Sequence, residues 1–260
     1  MGPSSFSFGT CAIACHGARS LASAGGAADQ REHVVTSEDA PSTWAYSSRM
    51  NATVPRPTSL VGAHIRLDPL TEDDLPALFA AIGHPEIFAN GYGGGSANYH
   101  ADLAGFIDWA HGYYHWAEGR PFAVRLVGGP DDGQLVGTTS LTEFEPKKER
   151  LHLGWTAYDP RVWGTVVNPE AKLLLLTHAF DSGFGRVKIQ ADARNERSRR
   201  AILKLGATFE GITRRDQLRA DGTWRDAAVH SIIIDDWPEV RERLTERVAS
   251  FGDAAVVLDK

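Results

Sequence analysis

Cysteine is scarce in this 260-residue chain, where only Cys11 and Cys15 occur, with His16 beside them. Two thiols without neighbouring histidine pairs form neither a zinc site nor a disulfide framework. No other cluster of ligating residues stands out in the sequence. We therefore predict a protein without a bound metal.

Long apolar runs are also lacking. No stretch approaches the roughly 18 apolar residues that a membrane-spanning helix needs. The first residues do not have the basic start of a secretory signal. These absences exclude a membrane partner and predict a soluble, cytoplasmic protein.

The chain also lacks an excess of basic residues. Lys and Arg total 27 against 33 Asp and Glu, which gives a formal charge of −6. An acidic protein repels nucleic acid and attracts amines or basic peptides. We therefore expect no nucleic-acid partner, and an amine ligand suits this charge.

The composition changes along the chain. Residues 1–59 are rich in Ser, Ala and Gly without a helical or alternating period, which predicts a disordered N-terminal extension. Residues 60–250 carry the patterns of one folded domain, and residues 251–260 form a C-terminal tail. The change supports the hypothesis that Met50 is the natural start. The natural presence of residues 1–49 and the choice between monomer and homodimer stay open.

Periodic segments predict an α/β fold, a mixed sheet with helices on both faces. The predicted helices cover residues 71–82, 98–117, 168–182, 195–205 and 236–248. The predicted strands cover residues 64–67, 120–127, 134–142, 150–158, 186–193, 209–218 and 227–234. The aromatic residues of helix 98–117 predict core packing, with some available to line a substrate pocket. The glycine-rich run 90–95 lacks the Lys-Ser/Thr of a phosphate cradle and predicts a flexible loop.

The run from Arg161 to Lys172 reads as a strand end, a glycine turn and the start of a buried helix. The first N–H groups of such a helix lack internal partners, and its dipole favours a negative charge there. Gly164 lets a ligand approach the backbone, and Pro169 suits the first helical turn. This pattern fits a pyrophosphate site. The alternative is an ordinary strand-to-helix connection.

The helix that follows Gly164 lies between strands 150–158 and 186–193. A right-handed crossover makes these strands parallel neighbours, and the helix then begins at the edge where open α/β sheets bind ligands. The next helix starts at the same edge, with Asn195 and Ser198 in its first turn. We therefore expect an anion site and two small polar side chains at one edge of the sheet.

Several motifs in order carry a family resemblance. Leu153-Gly154-Trp155, then Trp163-Gly164-Thr165 with Asn168-Pro169-Glu170-Ala171-Lys172, resembles the GNAT superfamily of acyl-CoA N-acyltransferases. The branch of Rim-type ribosomal-protein N-terminal acetyltransferases is indicated by Asn195-Glu196-Arg197-Ser198, Leu205-Gly206-Ala207, Phe209-Glu210-Gly211, Asp226 and Asp236-Trp237-Pro238. The resemblance covers about residues 60–248. It implies a central, mostly antiparallel mixed sheet with helices on both faces.

The resemblance implies acetyl-CoA as the donor cosubstrate. Its pantetheine arm is expected to run beside Trp155 and Thr156 like an added strand. Its pyrophosphate is expected on the backbone N–H groups of Gly164, Thr165, Val166, Val167 and Asn168.

Four side chains complete the implied coenzyme site. Asn195 is expected to hydrogen-bond the pantetheine amides, and Ser198 to donate to the departing thiolate. Lys172 and Arg200 are expected to contact CoA phosphates, with solvated surface charges as the alternative for both.

Two positions depart from the family pattern. The phosphate motif Gln/Arg-x-x-Gly-x-Gly/Ala ends here in Val166. A β-branched residue does not take a positive φ cheaply, so we expect an altered loop or a weaker affinity for CoA. The second departure is His152, at a strand position where Rim-type enzymes often carry glutamate.

The implied chemistry is aminolysis of a thioester, in which only the free amine attacks. A neutral histidine suits the task of general base, and His152 is the first candidate, with a half-buried structural histidine as the alternative. Glu143 is the second candidate, with a surface carboxylate as the alternative. The resemblance places the oxyanion donor at a backbone N–H near Trp155 or Thr156.

These observations predict an N-acetyltransferase that moves an acetyl group from acetyl-CoA to a primary amine, either a protein N-terminus or a small amine. The first alternative is a non-catalytic acyl-CoA sensor of the same fold, which Val166 and the missing strand glutamate motivate. The second is a kinase or dehydrogenase nucleotide site. That site lacks the expected Lys-Ser/Thr and three-glycine spacing.

Overall fold

Eight strands form one sheet in this computed structural model, which describes residues 52–258. The strands are β1 Leu60–Val61, β2 Ile65–Pro69, β3 Arg120–Leu126, β4 Leu135–Glu145, β5 Arg150–Tyr158, β6 Arg186–Asp192, β7 Thr208–Leu218 and β8 Trp224–Ile233. Their spatial order is β1-β2-β3-β4-β5-β6-β8-β7. Among the described strands only β5 and β6 pair in parallel. The predicted mixed, mostly antiparallel sheet is confirmed.

Six helices cover the two faces of this sheet. They are α1 Leu75–Ile82, α2 Pro85–Ala89, α3 Leu103–Tyr113, α4 Val167–Asp181, α5 Glu196–Leu203 and α6 Trp237–Ala249. The first three pack around Phe88 and Phe106 on one face. The last three pack around Leu175 and Val240 on the other. The predicted placement of helices on both faces is therefore confirmed.

The segment between α1 and α3 differs from its prediction. Helix α3 is shorter than the predicted 98–117 because Asp102 caps it, with its carboxylate accepting the N–H of Gly105. The short helix α2 was not predicted. The glycine-rich run 90–95 forms a 3₁₀ turn instead of an open loop, and the hydroxyl of Tyr92 lies 2.6 Å from that of Tyr114. Glycines with positive φ make this turn possible.

The crossover β5–α4–β6 positions the candidate site, and its predicted parallel strands are confirmed. The N-terminal half of α4 is fixed by Glu170, whose carboxylate accepts the N–H of Ala63 at 2.6 Å and that of His64 at 3.1 Å. A side chain on Gly62 would collide with this carboxylate, since its Cβ would lie 2.4 Å from Oε1. The start of α4 is therefore tied to the turn between β1 and β2.

Both ends of the described range contact the domain. The N–H of Thr53 donates to the carbonyl of Ser182 at 3.0 Å, and Arg120 donates to the carbonyl of Pro55 at 2.8 Å. At the other end, the N–H of Leu258 donates to Asp131 at 2.8 Å. The predicted boundaries at residues 60 and 250 are thus crossed by contacts. The predicted disorder up to residue 51, the cysteines and Met50 lie outside the described residues.

Two searches of residues 52–258 complete this description. No helix there is long and apolar enough to cross a membrane. No group of three His, Cys, Asp or Glu side chains there is arranged to hold a metal ion.

Candidate active site

A bulge interrupts β5 in its second half. Ser140 of β4 pairs with Gly154, but Thr138 pairs with Ala157. Between these two pairs β5 therefore contains one residue more than β4. Trp155 takes a φ of 50° and, like Thr156, has no register partner. A bulge of this kind leaves backbone groups outside the ladder and available to a ligand.

The two parallel strands separate at the same place. The pairing of β5 with β6 runs only from Arg150 with Arg186 to His152 with Lys188. Beyond these pairs both strands continue, β5 to Tyr158 and β6 to Asp192. Their facing edges are unpaired there, which is the arrangement that accepts an extended ligand as an additional strand.

A cavity of about 370 Å³ lies in this opening. It brings together seven of the site residues predicted from the sequence: Trp155, Thr156, Gly164, Asn168, Lys172, Asn195 and Ser198. Strands β5 and β6 and the starts of α4 and α5 line the same cavity, as the crossover argument predicted. Thr165, Val166, Val167, Arg200, His152 and Glu143 are not among its lining residues.

One end of the cavity, formed by Trp163, Gly164, Asn168 and Arg197, has the properties of an anion site; we call it the donor end. Gly164 has a φ of 81°, and a Cβ there would meet nothing within 4 Å. The N–H groups of Gly164, Val166 and Asn168 make no hydrogen bond within the described part of the chain. The guanidinium of Arg197 lies 4.0 Å from the ring centre of Trp163. Free N–H donors at a helix start and an arginine fit a diphosphate.

The departure at Val166 has no conformational consequence. Val166 has φ −65° and ψ −20°, the right-handed region that any residue adopts, and its side chain is buried. Val166 therefore does not take the positive φ considered for this position, and the expected effect on the affinity for CoA stays a prediction. The neighbouring Thr165 hydroxyl accepts the N–H of Val167 at 3.3 Å and donates to the carbonyl of Val162 at 2.7 Å. Phosphate contacts by these backbone groups stay predictions.

The start of α5 is fixed by Asn195. Its Oδ1 accepts the N–H of Ser198 at 2.9 Å, and its Nδ2 donates to the carbonyl of Asn90. The side chain is thus an N-cap and also a tie to the turn before Tyr92. Its second Nδ2 hydrogen and second Oδ1 lone pair stay available for the predicted bond to pantetheine. Arg200 points away from the cavity toward Glu196, 3.7 Å away, and both are exposed.

His152 and Glu143, predicted as separate candidates for the base, are hydrogen-bonded to each other. Nδ1 of His152 lies 3.0 Å from Oε1 of Glu143, and Lys188 donates to Oε2 of Glu143 at 2.6 Å. A carboxylate only accepts, so Nδ1 carries the hydrogen and Nε2 keeps its lone pair. Nε2 is buried without a hydrogen-bond partner in residues 52–258.

Burial and pairing set the charges of these two groups. Burial lowers the pKa of His152, and the hydrogen bond with Glu143 opposes this only in part. The hydrogen bonds from His152 and Lys188 lower the pKa of Glu143 to about 2. Near neutral pH the histidine is therefore neutral beside a charged carboxylate. This is the state that a general base needs.

Gly154 connects the cavity with this histidine. It lines the cavity, and a Cβ at this position would lie 3.1 Å from Nε2 of His152. The ring of Trp155, which also lines the cavity, has its centre 5.1 Å from that of His152. Because glycine has no side chain, its backbone is the part of position 154 that lies between the cavity and the buried Nε2.

Lys172 is placed differently from the exposed phosphate contact that the sequence suggested. Its ammonium is buried under the bulge and donates to the hydroxyls of Thr156 at 2.7 Å and Thr139 at 3.0 Å. Burial lowers the pKa of Lys172 from 10.5 to about 7. It lines the cavity all the same, and its contact with a phosphate stays a prediction.

Comparison with known proteins decides the family. The model of the GNAT acetyltransferase domain matches residues 64–208, more than half of the chain. The chain belongs to the GNAT acetyltransferase family. It is an acetyl-CoA-dependent N-acetyltransferase, as the sequence predicted, and acetyl-CoA is the cosubstrate that this domain implies.

Individual relatives agree with this family. The uncharacterised N-acetyltransferase YoaA of Bacillus subtilis is 24% identical over 165 residues, which are 63% of this chain and 90% of that protein. An acetyltransferase structure from T. thermophilus is 33% identical with a TM-score of 0.66, covering 75% of this chain and 99% of its own. Mycobacterium smegmatis RimJ in complex with CoA-disulfide has the same fold at 17% identity, with a TM-score of 0.59 and coverages of 74% and 95%.

Two arginines of the acetyltransferase site were not predicted as site residues. Arg197 lies in the quoted Asn195-Glu196-Arg197-Ser198 motif, and Arg225 directly precedes the quoted Asp226. Both line the cavity. Their neighbours in sequence gave a signal, but only the folded sheet shows which arginines point into the opening.

Proposed function

We propose that this enzyme transfers the acetyl group of acetyl-CoA to the free amine of an acceptor, with His152 as general base. The supporting observation is the hydrogen bond between the buried His152 and the exposed Glu143. Nε2 of this histidine has no partner within residues 52–258 and lies beside Gly154, which lines the cavity. The acceptor is a primary amine, either a protein N-terminus, as the Rim-type motifs suggest, or a small amine.

The donor end holds the coenzyme in this proposal. The free N–H groups of Gly164, Val166 and Asn168 and the guanidinium of Arg197 bind the diphosphate, because a helix start and an arginine both attract negative charge. The open edges of β5 and β6 accept the pantetheine arm. The thioester is then presented at the bulge around Trp155.

Transfer forms one C–N bond and breaks one C–S bond. As the amine nitrogen attacks the thioester carbonyl, Nε2 of His152 accepts the proton that the amine loses, directly or through a water. Glu143 keeps the ring in the correct tautomer and stabilises the imidazolium that results. A backbone N–H at Trp155 or Thr156 donates to the developing oxyanion. Ser198 donates a proton to the departing thiolate, which leaves as the free thiol, and the proton held by His152 returns to Ser198 through water.

Thiol release from acetyl-CoA tests the proposal. The full chain is incubated with acetyl-CoA and a panel of amines and N-terminal peptides, and a thermal shift with CoA reports binding separately. We expect turnover with at least one amine. CoA binding without thiol release across the panel would instead support the non-catalytic sensor, for which the conformation of Val166 removes one of the two reasons.

A matched pair of variants tests the assignment of the first turn of α5. Ser198→Ala should lower kcat more than CoA affinity, because its hydroxyl acts on the leaving group. Asn195→Ala should mainly weaken CoA binding, because the N-cap and the tie to Asn90 are lost. Negligible effects of both changes on both quantities would contradict the assignment.

A further inference from the structure

The cavity continues past Trp155 to an end that the coenzyme contacts do not use. This acceptor end is lined by Tyr92, Tyr113, Gln190, Asp192 and Arg225. Gln190 and Asp192 alternate along β6 with Ile189 and Ala191, which belong to the core on the α4 side. The acceptor end therefore lies on the sheet face that carries His152 and Lys188.

Two of the cations on this face are paired with carboxylates. Lys188 pairs with Glu143, and Arg219 pairs with Asp192. Arg225 has no carboxylate within 4 Å in the described part of the chain. Asp192, which lines the same end, forms its ion pair with Arg219 and not with Arg225.

The guanidinium of Arg225 donates one hydrogen bond, but another of its N–H donors has no acceptor within residues 52–258. One of its Nη1 hydrogens goes to Oε1 of Gln217 at 3.0 Å, on the neighbouring strand β7. Its Nε is buried without a hydrogen-bond partner among residues 52–258. A buried donor of a charged group is unfavourable unless an acceptor reaches it, and a carboxylate matches the arginine fork in two parallel hydrogen bonds.

Arg225 is also close enough to act on the proposed chemistry. Burial raises the pKa of Asp192, but the bonds from Arg194 and Arg219 and the positive charge of Arg225 together bring that pKa below its ordinary value. Burial lowers the pKa of His152, and the charge of Arg225 contributes in the same direction. Arg225 also lines the same cavity as Gly154, whose Cβ position lies 3.1 Å from Nε2 of His152, so a group bound by Arg225 lies in the cavity whose wall adjoins that histidine.

We propose that Arg225 binds a carboxylate of the acceptor, so that the substrates are amines that carry a carboxylate, such as amino acids. This inference rests on the proposed function. The cleft then has an arginine at each end: Arg197 for the diphosphate of the donor and Arg225 for the carboxylate of the acceptor. The rings of Tyr92 and Tyr113, whose centres are 5.4 Å apart, line the same cavity and provide apolar surface there.

Acceptor pairs that differ only in this charge provide the test. Phenylalanine, glycine, β-alanine and γ-aminobutyrate are each compared with the corresponding amide, and kcat/KM is measured by thiol release. The amine of a primary amide is less basic and more often neutral, so chemistry alone favours the amide. We expect the wild type to prefer at least one acid by about 10-fold or more, as a charge-assisted bidentate contact allows.

Arg225→Gln removes the charge and keeps a similar length. It should lower the acid-to-amide ratio by about 10-fold or more. Arg214→Gln is the matched control, because Arg214 is an exposed arginine of β7 that does not line the cavity. It should leave the ratio unchanged. A wild type without preference for any acid, or an Arg225→Gln variant with an unchanged ratio, overturns the inference while leaving the proposed function intact.

A binding measurement keeps the inference testable without turnover. The melting temperature is recorded with CoA and either N-acetylphenylalanine or N-acetylphenylalaninamide. The acid should raise the melting temperature of the wild type more than the amide does, and Arg225→Gln should remove the difference. Equal shifts with acid and amide in the wild type overturn the carboxylate site. Absence of thiol release with every amine contradicts the proposed function instead.

Discussion

Two buried basic side chains, His152 and Lys172, lie on opposite faces of β5 and meet different surroundings. His152 has the carboxylate of Glu143 at 3.0 Å. Within residues 52–258, the ammonium of Lys172 has only the hydroxyls of Thr139 and Thr156 as partners. Burial opposes the charged form in both, but a carboxylate restores part of the loss and a neutral hydroxyl restores much less.

The difference separates two roles that a shifted pKa alone does not distinguish. The partner of His152 fixes its tautomer and leaves Nε2 free beside the acceptor side of the cavity. Lys172 is held by the two threonines under the bulge, on the side of α4. We expect His152 to govern turnover, and Lys172 to govern how stability depends on pH. Five variants and two exposed controls test this comparison.

His152→Gln should have the largest effect. A glutamine keeps a donor and an acceptor but takes no proton at neutral pH, so kcat should fall by about 10²–10⁴. The measurement is kcat at saturating acetyl-CoA and acceptor, with CoA affinity from a thermal shift as the control. A fall of less than about 5-fold with normal CoA binding would contradict the role of general base.

Lys172→Met should change the pH dependence of the free energy of unfolding. The pKa of Lys172 is about 7 in the folded protein and 10.5 ordinarily, so the unfolded chain binds more protons between these values. Stability should therefore rise with pH in this window and be lost as pH falls through 7. The slope approaches about 1.4 kcal/mol per pH unit, which amounts to about 2 kcal/mol from pH 7 to 9.

Urea unfolding at pH 7, 8 and 9 measures this slope. The Lys172→Met variant should show a flatter dependence than the wild type. Lys147→Met removes the same charge from an exposed residue and serves as the matched control. Equal slopes in all three proteins would mean that Lys172 is not the titrating group.

Glu143→Gln should reduce turnover less than loss of the histidine itself. The hydrogen bond with Glu143 raises the pKa of His152, so its loss should move the acidic limb of the kcat/KM profile to lower pH. It also frees the imidazole to take the wrong tautomer, for which we expect a fall in kcat of about 10-fold or more at pH 8. Glu145→Gln is the control, because Glu145 lies at the end of the same strand and forms an exposed ion pair with Arg150. A profile that moves equally in both variants would contradict the orienting role.

Sequence reasoning was sufficient where the signal is local or topological. Gly164 and Pro169 mark the start of α4, and the crossover argument makes β5 and β6 parallel neighbours. Together they place Asn195 and Ser198 at the same opening as Gly164. These inferences need only backbone rules, which hold in most surroundings.

Sequence reasoning was insufficient where a side chain's role depends on register or on the far side of the sheet. The pair of His152 and Glu143 exists because β4 carries a bulge between Thr142 and Glu145. The buried place of Lys172 depends on which face of α4 packs on the sheet. The unpaired charge of Arg225 appears only once β8 is known to lie beside β6. Val166 shows the opposite error, since a motif rule suggested strain that the fold avoids.

Substitutions of two threonines of β4 should have the smallest and most discriminating effects. One threonine contacts Lys172, and the other lies opposite His152. Thr139 accepts a hydrogen bond from Lys172, whereas the buried hydroxyl of Thr142, opposite His152, has no partner within the described residues. Thr139→Val should therefore destabilise the protein by about 1 kcal/mol at pH 6, where the lysine is charged, and by less at pH 9. Thr142→Val removes an unsatisfied buried hydroxyl and should be neutral or stabilising at both values. Urea unfolding of both variants at both pH values measures this. If Thr139→Val shows no pH dependence, its hydroxyl does not hold the charged lysine, and the contrast between the two faces of β5 reduces to burial alone.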